Sequence, residues 1–367
     1  TTDPDGDVYL EAGEDIGRNG NFIDVTIAGE LTGTLGDDAF IHSVGDLYVG
    51  GTPLATANPR SFFESEDGNV TLDVDGTAHI GLIRAQGDGG ADSASGLTDG
   101  VVKIDAEDLI VDRRDDTEAN IIATGAILNA GVDGGLGDIG TDGNPFETQV
   151  SRLEADVIGG GIWLDNVGDM QIGNISSQLG VRADETVDIS VVGTLTINEL
   201  VESEDSSAAT YVSLDATGDI VVNAGIISNS ADVTLDAGQD VLFTANGFID
   251  TEVGDTLRGL VTILAARDVI MDDGSYVEAR DDYIDMDAGR DIGLSNLRTT
   301  TQVDIDAATG SIYDNGDSAP EIVAEYAQLS AEGNIGLDDS GNTDIEVDLD
   351  YLEASATMGG IFIRDID

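Results

Sequence analysis

The chain has 367 residues, of which 74 are Asp or Glu and 14 are Lys or Arg, so its formal net charge is -60. Such a surface repels nucleic acid and anionic lipid, and the lack of cysteine excludes disulfides and thiolate metal sites. Hydrophobic residues make up 40% of the chain while aromatics reach only 5%, so a core has to be built from Ile, Val, Leu and Ala.

The acids are spread along the whole length, and Lys103 is the only lysine. A salty or calcium-rich exterior would screen the self-repulsion of such a surface. No apolar stretch approaches the roughly 18–20 residues of a membrane span, so the chain is not expected to span a membrane. The opening TTDPDGDVYL lacks the pattern of a signal peptide. Either processing has removed one or the chain is a piece of something longer.

In chain order, alternating apolar and polar residues start with VYLEAGEDIG at Val8. They return as IHSVGDLYV at Ile41, VTLDVDG at Val70, VKIDAEDLIV at Val102 and VDISVVGTLTI at Val187. Less regular loops are expected near 50–70 and 112–148. From Val212 onward the copies become closer: VSLDATGDIVV, VTLDAGQDVLF, VTILAARDVIM, IDMDAGRDIGL, VDIDAATGSIY and AQLSAEGNIGL. Aligned on Ala216, Ala237, Ala265, Ala288, Ala307, Ala331 and Ala354, they are separated by 21, 28, 23, 19, 24 and 23 residues, a mean of 23. One longer echo runs without a gap, LEADVIGGGIWLDNV from Leu153 against LEASATMGGIFIRDI from Leu352.

Alternation with period two over five to seven residues signals strands, and β-branched residues suit a pleated surface. A strand this short cannot bury its apolar face alone, so successive copies must stack. The expected fold is all-β, a right-handed parallel β-helix with coils of about 23 residues, running as one solenoid over 1–367 and forming a segment of a longer array. About 16 coils at 4.8 Å each would make a rod of roughly 75–80 Å. A β-propeller needs longer, aromatic-marked blades, and tandem immunoglobulin-like sandwiches need a Trp in each copy, whereas Trp163 is the only one.

The strings VSLDATGDIVV, VTLDAGQDVLF and AQLSAEGNIGL resemble the repeats of filamentous-haemagglutinin-like exoproteins and of large bacterial β-strand-repeat surface proteins. The resemblance is clearest from about 205 to 340. It implies the handedness of the helix, secretion to the cell surface, and roles in adhesion, aggregation or filament formation. It also leaves a gap. Those exoproteins begin with a secretion domain bearing an Asn-Pro-type motif, whereas Asn58–Pro59 and Asn144–Pro145 lie deep in this chain.

The expected function is therefore that of a non-enzymatic extracellular rod, adhering to surface glycans or other cells and associating head to tail with copies of itself. Two alternatives stand beside it, a polysaccharide-active β-helix enzyme and a calcium-dependent carbohydrate-binding module. Glycoside hydrolases need two carboxylates at a set separation, but Asp pairs are too abundant here to single one out, and no catalytic residue is assigned. His42 and His79 are the only histidines, and Arg113–Arg114 is expected to pair with Asp115 or Asp116. Calcium takes six to eight oxygen ligands. The loops that concentrate oxygens are DPDGD, with Asp3, Asp5 and Asp7, and LDDSGNTD, with Asp338, Asp339 and Asp344. An acid also recurs between the inward aliphatic residue and the Ala, at Glu11, Asp105, Glu154, Asp215, Asp236, Asp287, Asp306 and Glu353; alternation points it outward. A second acid precedes the next strand, at Asp15, Asp46, Asp169, Asp219, Asp240, Asp268 and Asp291, where a turn needs it.

Overall fold

The computed structural model describes residues 6–51, 62–87, 100–114, 116–178, 180–204, 210–229, 231–251, 259–314, 319–337 and 344–366. The chain divides into two compact units, Thr1–Val192 and Gly193–Asp367. Among the described residues, regular structure is strand throughout, apart from a single 3-10 turn at Val132–Gly134. Every ladder whose register is described is parallel; among the described residues the antiparallel contacts are two isolated bridges, Arg18 with Asn21 and Thr141 with Asn144. The all-β, parallel expectation therefore holds.

Through the middle of the first unit, strands pair with the third strand further along the chain. Ala39–Ser43 pairs with Val70–Val74, and that strand with Val101–Ala106. Leu47–Val49 pairs with Ala78–Ile80, which pairs with Ile110–Asp112. Phe63–Ser65 pairs with Ile83–Ala85, which pairs with the first residues of Ile121–Ala130. A ten-residue strand thus lies inside the segment 112–148 that was expected to be loop. Its sequence, IIATGAILNA, hides this because Ala, Thr and Gly interrupt the alternation. The strand serves two columns, Ile121–Ala123 stacking on Ile83–Ala85 and Gly125–Ala130 on Val101–Ala106.

The second unit repeats the arrangement more regularly. One column runs through Tyr211–Ala216, Asp232–Ala237, Val261–Ala265, Ile284–Ala288 and Gln302–Ala307 into Ile322–Ala331 and Ile345–Ala356. Its middle inward position is filled in turn by Leu214, Leu235, Ile263, Met286, Ile305 and Leu329, all buried. These aliphatic side chains stack directly over one another, and their burial is what a single short strand could not achieve. The alanine column ends differently from its expected course. Ala331 pairs with Ala356, whereas Ala354 pairs with Leu329. A shift of two residues leaves the same face inward, so alternation alone could not detect it.

Next to the alanines the chain turns against the preceding winding. A Cβ at Gly238 would lie 2.4 Å from the Thr217 carbonyl oxygen, and one at Gly289 would lie 2.2 Å from that of Ala266. Glycine after alanine is what lets these turns approach so closely.

Candidate functional site

The acids at the turns form hydrogen-bonded ladders. In the second unit, Asp219 Oδ1 accepts the backbone N–H of Asp240 at 3.1 Å, and Asp240 Oδ1 that of Asp268 at 3.1 Å. Asp268 does the same for Asp291 at 3.1 Å, and Asp291 for Ser311 at 2.8 Å. The ladder continues with neutral residues, Ser311 Oγ accepting from Asn334 and Asn334 Oδ1 from Gly360. Arginines reinforce it. Arg267 donates to Asp240 at 2.5 Å and reaches Asp219 at 3.3 Å, and Arg290 pairs with Asp268. The first unit has shorter versions: Asp38 accepts from Asn69, whose amide oxygen accepts from Val101, and Asp46 accepts from Thr77. Charge-assisted bonds of this kind to backbone N–H groups are strong, and these acids are structural.

The outward face is where acid is left to act on solvent. Asp215 lies opposite Asp236, Asp285 opposite Asp304 and Asp287 opposite Asp306. Partial burial, and then the neighbouring carboxylates, push the acid groups of Asp285 and Asp287 above the usual range. The row is not continuous, because Leu264 stands between Asp236 and Asp287. Glu154 breaks the expected pattern altogether. It is 0% exposed and accepts from the backbone N–H groups of Ile175 at 2.8 Å and Ser176 at 2.9 Å, and from the Ser176 hydroxyl at 2.5 Å. A loop folded over this position turns an outward acid into a buried latch.

That same loop helps to wall a cleft of about 630 Å³ in the first unit, lined by Phe22, Phe40, Asp73, Lys103, Asp105, Asp133 and Ser176 among others. Lys103 Nζ lies 2.7 Å from Asp105, and the Asn129 amide donates to the same carboxylate at 2.6 Å. Desolvation raises Asp73, with the nearby His42 opposing. Aromatic, acidic and hydrogen-bonding groups together suit a polar, hydroxyl-rich ligand.

The two histidines have separate partners. His42 lies between Asp24 at 3.0 Å and Asp75 at 3.1 Å, and these hydrogen bonds, Asp75 first, raise its pKa. His79 stacks on Tyr48 with centroids 4.3 Å apart, and burial lowers its pKa. Arg113 pairs with Glu30 at 2.6 Å and Arg114 lies 3.8 Å from Asp116, while Asp115 lies outside the described residues.

Of the expected calcium ligands, Asp3, Asp5, Asp338 and Asp339 lie outside the described residues. Asp7 Oδ1 accepts the backbone N–H of Glu30 at 2.8 Å, and Asp344 lies 3.4 Å from Arg364. Neither belongs to a group of three close metal-ligating side chains among the described residues; Asp15, Asp37 and Asp38 form such a group at a turn. Among the described residues, no helix is long and apolar enough to cross a membrane. Comparison with protein-family models, with curated proteins and with solved structures finds no match for this chain.

Proposed function

We propose that each unit is a right-handed parallel β-helix and that the chain is a non-enzymatic, extracellular structural or adhesive protein, as its resemblance to the filamentous-haemagglutinin-like exoproteins implies. The observation that carries this reading is the recurring parallel pairing of a strand with the third strand onward, around columns of stacked aliphatic residues. Crossover connections between parallel strands are right-handed in about 98% of cases, which supports the handedness. The fate of the acids supports a scaffold over an enzyme: at the turns they bind backbone N–H groups, and on the strands they stand in rows of like charge. Surface glycans fit as partners because the cleft beside Phe22 and Lys103 offers stacking and hydrogen-bonding groups together. Association between copies fits the exposed side chains of Tyr351 and Leu352, on the strand Ile345–Ala356, and of Met358 just after it.

The test is an adhesion assay on beads carrying the purified chain. The beads should clump, or bind glycan arrays and cells, in a way that soluble chain inhibits, while polysaccharides incubated with the chain keep their length. Release of new sugar ends by the purified chain would replace this reading with the enzymatic one.

A further inference from the structure

Two corners of the protein occupy the same place in the strand order, one in each unit. In the first unit, Asp112 closes one strand, Asn120 precedes the next, and Glu147 lies one winding beyond Asn120. The Asn120 amide group donates to Asp112 at 2.5 Å and to the Ile80 carbonyl at 2.9 Å, while its oxygen accepts the backbone N–H of Glu147 at 3.0 Å. Asparagine thus serves as both donor and acceptor.

In the second unit the corresponding residues are Asp314, Glu321 and Glu346. Glu321 keeps the acceptor role, its Oε2 taking the backbone N–H of Glu346 at 2.6 Å. As a carboxylate it has no amide to donate. Three acids therefore converge, at 6%, 2% and 0% exposure, each offering an oxygen within 4.8 Å of the others. Glu346 is fully enclosed. Arg364 meets its Oε1, while its Oε2 finds no hydrogen-bond donor among the described residues. Arg364 is itself 44% exposed and shared with Asp344. Three carboxylates buried this close repel one another, and a cation held among them would relieve that repulsion.

We infer that Asp314, Glu321 and Glu346 form a buried calcium-type cation site in the second unit. The donor set is all oxygen, as a hard divalent ion requires. A calcium ion takes its oxygens at about 2.4 Å, so carboxylate oxygens that all lie within 4.8 Å of one another can share one ion. The site is independent of what the chain adheres to, so it stands or falls apart from the adhesive reading.

The experiment is a calcium titration of the full chain, stripped with chelator and kept in moderate salt to suppress diffuse binding to the acidic surface. One saturable site per chain is expected above the diffuse background, and calcium should raise the melting temperature. Glu321→Asn copies the arrangement of the first unit. It should weaken the saturable site at least tenfold, leave the diffuse binding unchanged, and melt above the wild type in chelator but below it in calcium. Asp236→Asn, on the outward face, should alter none of this. Glu346→Gln should also lose the site, and if it does not fold then Glu321→Asn still decides. A wild-type chain without a saturable site, or a Glu321→Asn chain that binds as tightly as the wild type, would overturn the inference.

Discussion

Asp268 Oδ1 lies 3.1 Å from the backbone nitrogen of Asp291, the residue 23 positions on that then accepts the N–H of Ser311 in the same way. The period of the sequence is therefore also the period of a bond. Each acid satisfies a backbone donor in the following winding, which explains why a chain so rich in Asp keeps it at the turns.

Asp240 is the best place to test that role, because it accepts from Asp268 and also holds Arg267. Asp240→Ala is expected to lower stability by about 1–3 kcal/mol, the range for removing a partner of charged hydrogen bonds. Asp240→Asn, which keeps an acceptor, should lose less. Denaturant unfolding of both variants measures this, and equal losses would show that the backbone bond contributes little.

The stacked aliphatic column makes a sharper demand. Leu235→Asp or Ile305→Asp would bury a charge without a partner, and should abolish cooperative folding of the second unit. Met286→Ala removes volume without adding charge and should cost about 2–5 kcal/mol. Thr234→Asp, whose side chain alternates to the other face of the same strand, should stay within about 1 kcal/mol of wild type. Circular dichroism during urea unfolding separates these outcomes, and a Leu235→Asp chain that unfolds like Thr234→Asp would contradict the inward assignment.

Much of this was legible in the sequence, because a period of two along the strands and about 23 between them leaves few ways to bury the same residues. What stayed hidden has physical reasons. The strand Ile121–Ala130 carries Ala123, Thr124 and Gly125 where it passes from one column to another, so its alternation breaks. The shift of Ala354 onto Leu329 preserves the buried face and so leaves no trace in the pattern. Glu154 looked like an outward acid because alternation sees only its own strand, not the loop at Ile175 and Ser176 that covers it. The corner of Asp314, Glu321 and Glu346 draws one residue from each of three separate segments, and local loop composition pointed instead to Asp338, Asp339 and Asp344. Its nearest sequence signal was the echo that sets Leu153 against Leu352, since the same offset sets Glu147 against Glu346.

Glu154 also makes a local prediction. Glu154→Ala removes the acceptor of two backbone N–H groups and one hydroxyl, so the loop around Ile175 should open while the strands persist. Limited proteolysis should cut near Ser176 several times faster than in wild type, with the melting temperature changing by only a few degrees. Cleavage at an unchanged rate would mean that other contacts hold the loop.

The last prediction concerns pH. Glu147 is 7% exposed, its Oε2 has no hydrogen-bond donor among the described residues, and burial, then the nearby Asp112, push its pKa up to about 7. An unfolded glutamate releases its proton near 4.5. Between those values the folded state holds a proton that the unfolded state has lost, so stability must fall as pH rises. This contribution is complete below about 4.5 and is lost as pH passes through 7. Asp73, Asp138, Asp165, Asp250, Asp285 and Asp287 are shifted in the same direction by burial, and His42, raised by Asp75 and Asp24, adds the same sign. His79 is lowered and works against them, but it is a single ring. The melting temperature in fixed salt should therefore decline from pH 5 to pH 8, and more steeply at low ionic strength, where a net charge of -60 is least screened. Glu147→Gln keeps the shape of the side chain and cannot ionise, so it should flatten the decline around pH 7. A melting temperature that rises from pH 5 to pH 8, or a Glu147→Gln chain with the wild-type slope, would show that this corner is not the group that titrates.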